Sequence, residues 1–232
     1  KDQEQFDNMM ESLKVGLQNR ATSPDQAFSD SLNATIYGHN PRVKPLELSD
    51  LPKVNYDRIL RMAAERTANV NGWRFVIVGN YDEANIRQLI TRYLGSLPSK
   101  GPNPNSKQAV FFKKGVSVND FVRKMETPKA NANMAWFSED IPYTTENAIK
   151  ASIAGQILSM VYIKKIREDA SAAYSCGAQG SASIEDKYHN VMLFAYCPMK
   201  PEKADVALQI MRDEVVNLSK QCDASMLAKV KE

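Results

Sequence analysis

Ile166-Arg-Glu-Asp-Ala-Ser-Ala-Ala-Tyr174-Ser-Cys-Gly-Ala-Gln-Gly180 sets a cation and a phenol, Arg167 and Tyr174, on either side of a change in pattern. Upstream, Ile149, Ile153, Ile157, Val161 and Ile166 recur on or near one helical face, which predicts a long helix over residues 145–167. Downstream, residues 173–184 and 188–198 read as an antiparallel hairpin. A helix end and the start of the next strand can both aim into one cleft. Arg supplies a fixed fork of donors for carbonyl or carboxylate oxygens. Tyr supplies one donor suited to a developing oxyanion. A structural role explains the same residues: Arg near a helix C-terminus complements the macrodipole, and Tyr opening a strand follows β-propensity.

Working outward, an amphipathic helix is predicted over residues 2–19, with Phe6, Met9, Met10, Leu13 and Leu17 at helical spacing. Ser23-Pro24 is a cap followed by proline in the first turn, opening a second helix that runs to about Tyr37. Gly38-His-Asn-Pro41 ends it. Helix is expected again over 50–54 and 56–67, and from Asp82 to Gly95. Residues 73–79 are the clearest strand by composition, and 109–112, 116–126 and 132–137 read as three more. The stretch 96–106 holds Pro98, Gly101, Pro102 and Pro104 and reads as a surface linker. Pro201 opens a helix to about Lys220, and Asp223 caps the last fragment. Strands cluster and long helices fall between them. The fold class is therefore α+β, an antiparallel or mixed sheet with helices on one face, and not a doubly wound parallel fold.

The chain has 232 residues and a net charge of +3 from nearly balanced signs. No basic patch with interleaved aromatics is present, so nucleic acid is not an expected partner. No apolar stretch reaches membrane-spanning length. The chain opens and stops inside helix-like patterns, and both ends read as cuts through a longer protein. Cys176, Cys197 and Cys222 have no C-x-x-C spacing, which argues against a thiolate zinc site. With a hairpin turn near Glu185-Asp186, Cys176 and Cys197 are expected on a diagonal of neighbouring strands, as small core residues.

Several segments together resemble the insulinase/pitrilysin family of zinc metallopeptidases, the inverzincins. The opening stretch is similar to that family's R-E-x-x-x-x-A-Y-S signature. Arg74-Phe-Val-Ile-Val-Gly-Asn-Tyr-Asp82 resembles its f-V-G-x-x-D strand, and Leu89-Ile-Thr-Arg-Tyr-Leu-Gly-Ser-Leu-Pro98 the helix end that follows. Ser23-Pro-Asp-Gln-Ala-Phe-Ser29 and Asn40-Pro-Arg42 resemble the approach region of the long bacterial periplasmic members. The likeness runs, with gaps, from about Phe6 to the end. It departs at Asp169-Ala-Ser-Ala-Ala173, where many members carry Gly-Leu or a similar pair.

The chemistry is conspicuous by what is missing. The two histidines, His39 and His189, lie in no H-x-x-E-H arrangement, so the family's zinc site cannot be assembled here. His39 reads as an exposed turn residue and His189 as an exposed or edge residue. No G-x-S-x-G elbow or phosphate loop appears. Gly177-Ala-Gln-Gly180 is read as a strand with close backbone packing. Glu139-Asp140 and Glu168-Asp169 are explained by solvated faces, with Glu168 able to pair with Lys164 one turn away.

The resemblance implies a clamshell half of the LuxS/processing-peptidase-like kind, with residues 1–48 as a helical lead-in and 49–232 as the α+β domain. It implies a zinc-free C-terminal domain with no catalytic residue or cofactor of its own, the zinc being held by the partner half. Arg167 would bind a substrate backbone carbonyl and Tyr174 would donate to the oxyanion at the scissile bond, once the two halves close. Expected partners are the other domains or subunit of the same peptidase and an unfolded peptide, which could add as a strand to a sheet edge. The implied location is the periplasm or cell envelope. Two alternatives stand beside this reading. One is a non-catalytic peptide-binding homologue or partner subunit; the other is a structural domain in which Arg167 and Tyr174 only brace a corner.

Overall fold

The three apolar patterns nearest the Arg–Tyr segment set the core, and they hold in the computed structural model, which describes residues 1–100, 110–185 and 188–231. The chain divides into two compact units, Lys1–Asp30 with Asn40–Phe111, and Ser31–His39 with Phe112–Glu232.

In the first unit, helix α1 (Gln3–Thr22) starts where the Asp2 side chain accepts the Gln5 amide. Phe6 stacks on Tyr56 at 4.5 Å between ring centroids, and Lys1 pairs with Asp57 at 2.9 Å. These contacts tie α1 to α3 (Tyr56–Thr67), which Asn55 caps through the Arg58 amide. A 3-10 turn, Leu48–Lys53, precedes α3. Helix α2 (Pro24–Ile36), whose residues from Ser31 on belong to the second unit, begins at Ser23-Pro24 as its sequence requires. Helix α4 (Glu83–Leu89), capped by Asp82, runs on through a π-helical turn, Ile90–Leu94, and ends at Gly95.

Three of the expected strands do not form among the described residues. Residues 73–79, 110–112 and 116–126 fall in no strand. Val78 is 91% exposed and Val122 is 97% exposed. These runs have the β-branched composition of strands, but that composition measures fit to a pleated, half-buried surface rather than a backbone preference. Among the described residues, that composition alone produces no strand in these runs. Ala109 and most of the proposed linker, 101–106, lie outside the described residues.

In the second unit, β1 (Ala130–Ser138), β2 (Gly177–Glu185) and β3 (Tyr188–Met199) form an antiparallel sheet in the order β1-β3-β2. The hairpin pairs Gly177 with Tyr196 and closes at Glu185 opposite Tyr188; the turn residues themselves lie outside the described residues. Helix α5 (Thr145–Tyr162), capped by Thr144, crosses β2 and reaches β3. Helix α6 (Ala204–Lys220) packs on α5 and β3, and α7 (Ala224–Lys231) on α5. Along β3, Ala195, Cys197 and Met199 are buried while Tyr196 and Pro198 are exposed, the period-two alternation of a half-covered sheet. The core joins these residues to Leu158, Tyr162 and Ile166 of the α5 line and Ala207 and Met211 of α6. Tyr162 satisfies its buried hydroxyl by donating to the Met211 carbonyl at 2.8 Å, and burial pushes its pKa up.

The glycines of β2 have the close-packing role their sequence suggests. A Cβ on Gly180 would overlap the Ala151 carbonyl oxygen of α5, and one on Gly155 of α5 would overlap the Gly180 amide nitrogen. Helix and strand therefore meet backbone to backbone. Gly16, in α1, has open space where its side chain would be. Gly180→Ala is expected to destabilise the protein by about 1–3 kcal/mol through overpacking, whereas Gly16→Ala should stabilise α1 by about 0.5–1 kcal/mol. Urea unfolding of the two variants beside the parent, followed by far-UV circular dichroism, checks both signs.

Candidate functional site

The line of α5 does not stop at Tyr162. It continues through a π-helical segment, Ile163–Asp169, whose last turn carries Arg167. Ile166 is fully buried and fixes this segment to the core, so its neighbour Arg167 is turned to solvent. Lys164 pairs with Glu168 at 3.8 Å and with Asp169 more closely. Lys165 pairs with Glu214 of α6 at 2.7 Å. The acidic residues beside Arg167 thus have lysine partners.

The connection into β2 is short and pinned. The Ala172 amide donates to the Ile166 carbonyl at 2.9 Å, and the Lys200 amide donates to the Ala172 carbonyl at 2.9 Å. Ala172 and Ala173 both sit in the core. Ser171 takes a left-handed φ of 50° to make the turn between them and the helix. Once two small residues have filled the core position, the next side chain leaves it: Tyr174 is 86% exposed. The Arg167 guanidinium carbon lies 5.4 Å from the centroid of the Tyr174 ring, within cation–π reach. The two residues singled out by spacing are brought together, both on the surface. The positioning role of Ser171, Ala172 and Ala173 is not evident from spacing. The available signal is a pair of small apolar residues next to the tyrosine, at the place where the sequence departs from the common family pattern.

Behind this surface pair lie two thiols. Continuing the hairpin register one residue past Gly177–Tyr196 sets Cys176 directly opposite Cys197, not diagonal to it as the turn placement suggested. The hairpin turns slightly later than expected, and the pairing shifts accordingly. Both cysteines are buried and reduced. The hydrogen bond with Cys197 holds the Cys176 thiol below its ordinary range; burial opposes this and the Arg167 charge assists it. Cys197 moves the other way, raised by that same hydrogen bond and by burial.

The histidines form no site. His39 is an exposed turn residue with φ of 58°. His189 is half-buried at the start of β3, the central strand, where its Nδ1 accepts the Tyr143 amide at 3.2 Å. It is half-buried and not exposed, and it lies past the end of the β1 ladder, which stops at Val191. Among the described residues, no group of three or more His, Cys, Asp or Glu side chains could hold a metal ion. These residues do not fit a zinc site. No helix of the described residues is long and apolar enough to cross a membrane.

Comparison with known proteins places the fold. Residues 71–232 match the family described as the peptidase M16 inactive domain. The chain belongs to that family, the inactive domain of zinc protease-like proteins. It is 26% identical over 196 residues to the probable zinc protease PqqL of Escherichia coli strain K12, covering 83% of this chain and 20% of that protein. The crystal structure of the periplasmic protease PqqL from Escherichia coli superposes with a TM-score of 0.72 at 25% identity, over 96% of this chain and 25% of that one. An M16 inactive domain from Pseudomonas fluorescens superposes with a TM-score of 0.70 at 14% identity, over 98% of this chain and 54% of the other. A mutant of the ferredoxin protease FusC, in complex with Arabidopsis ferredoxin, gives 0.66 at 17% identity, over 95% and 24%. The chain thus spans a fifth to a quarter of the length of PqqL.

Exposure separates the surface pair from the core beneath it. Arg167→Ala and Tyr174→Phe should each shift stability by no more than about 0.5 kcal/mol. Tyr162→Phe, which removes a buried hydrogen bond, should cost about 0.5–1.5 kcal/mol. Thermal or urea denaturation of the three variants measures the contrast.

Proposed function

We propose that this domain binds the peptide substrate of a zinc metalloendopeptidase and completes an active site whose zinc is held by a separate half. The observation that carries the reading is the Arg167–Tyr174 pair, exposed and in mutual contact beside a pinned helix-to-strand connection. Arg167 presents a planar fork of donors and Tyr174 a single hydroxyl donor. In this reading Arg167 fixes a substrate backbone carbonyl. Tyr174 donates to the carbonyl oxygen of the scissile bond as negative charge develops on it. Such donors act only within about 3 Å of that oxygen, so both depend on closure of the two halves around the peptide.

The remaining assignments rest on the same reading. The domain begins near residue 49, after a helical lead-in. Its partners are the other domains or subunit of the peptidase. The exposed valines of residues 73–79 and 116–126 support a polypeptide partner, since apolar side chains at this exposure are stabilised by cover. A periplasmic or cell-envelope location is supported by the periplasmic PqqL.

In the full-length protein, Arg167→Ala and Tyr174→Phe are expected to lower kcat on an unfolded polypeptide substrate, with losses on the order of 10²–10³ for the tyrosine. Peptide-cleavage kinetics with a parallel melting curve checks this. Unchanged kcat in both variants would assign the pair a structural role. A full-length protein that binds unfolded peptide but never cleaves it, even with zinc supplied, would instead be a non-catalytic peptide-binding homologue.

A further inference from the structure

We infer that Cys176 and Cys197 are a reversible cross-strand redox site, closing to a disulfide by exchange with a small-molecule or protein disulfide. Two observations on the fold carry this. Extended one residue beyond its last pair, Gly177–Tyr196, the hairpin register sets Cys176 opposite Cys197. Directly opposed residues of an antiparallel pair have side chains on one face and Cα atoms about 4.5 or 5.5 Å apart. Either spacing falls within the roughly 4.4–6.8 Å that a disulfide accepts. Each thiol shifts the titration of the other, Cys176 downward and Cys197 upward. Both belong to the same buried cluster, and neither needs to leave it to reach the other.

The electrostatics assign an order to the steps. Cys176 is the thiol whose ionised form is favoured, through its interaction with Cys197 and the nearby Arg167 charge; it is also the less buried of the two, 5% exposed against 1% for Cys197. Its thiolate attacks one sulfur of the incoming disulfide, forming a mixed disulfide and expelling the first thiolate. The Cys197 sulfur, losing its proton, then attacks the Cys176 sulfur and expels the second. Two cysteine thiols and one disulfide become one cysteine disulfide and two thiols; the cysteines are oxidised and the incoming disulfide is reduced. The product would tie the first residue after the Tyr174 turn to the middle of the sheet. The inference does not depend on the function proposed above, since its test reads covalent state and not peptide cleavage.

The test is a redox titration of the full-length protein in buffers of reduced and oxidised glutathione. Thiols are trapped with an alkylating reagent after acid quench and unfolding, and digests are read by mass spectrometry. The expected result is a cross-linked peptide pair joining Cys176 to Cys197 and lacking two hydrogens, which returns to two alkylated cysteines on reduction. It should persist in Cys222→Ser, which removes the exposed third thiol. Alkylation of both core cysteines at every buffer ratio would overturn the inference. So would glutathione retained on Cys176 without closure, or a cross-link that instead uses Cys222. Because the decisive reading is made on the parent sequence, it does not require a core variant to fold.

Discussion

The backbone contact between Gly155 of α5 and Gly180 of β2 is the constraint from which the rest of the second unit follows. A side chain at either position would collide with main-chain atoms of the other element, and main chain cannot move aside as a flexible side chain can. Helix and strand are therefore held at a separation that only glycine allows. At that separation the apolar line Leu158, Tyr162, Ile166 reaches the sheet. The π-helical segment that extends α5 then ends beside the entry to β2. A helix standing farther off would need larger residues at the connection, and Ala172 and Ala173 would not fill it.

The connection itself makes a surface site out of core packing. Two backbone hydrogen bonds, one back to Ile166 and one from Lys200, clamp Ala172 between helix end and strand end. With that residue fixed, the main chain places Tyr174 beside the helix end that carries Arg167, and the two side chains meet at 5.4 Å. This is the arrangement a binding pair needs, because donors held by a rigid frame lose less freedom when a ligand arrives. It also explains how both residues can be exposed without being loosely placed.

Much of this was legible in the sequence because it rests on local rules. The caps at Ser23 and Asp223 are short polar side chains that accept free amides at a helix start. The long helix and the hairpin follow from their periods. The Arg–Tyr pair was found through its spacing and the resemblance it carries. What was not legible depends on distant partners. Residues 73–79 look like a strand in isolation, and whether they form one depends on a neighbouring strand that the local pattern does not specify. The opposition of the two cysteines depends on where the hairpin turns, and a shift of register exchanges opposite for diagonal. His189 has an acceptor role because Tyr143, far away in sequence, brings an amide to it.

The same distinction bears on what the domain can do. Hydrolysis of a peptide bond needs an activated nucleophile as well as a place to hold the substrate. The described residues offer no cluster of metal ligands. The two histidines lie apart, one in a turn and one engaged by a backbone amide. What the domain does present is a cation and a hydroxyl aimed outward from a braced corner. Donors of this kind contribute when a reacting carbonyl is brought to them, and they contribute most where water is excluded. An isolated surface provides neither condition. On the function proposed above, the chemistry of Arg167 and Tyr174 would belong to a cleft assembled with another half, and what this chain contributes is the braced corner that carries them.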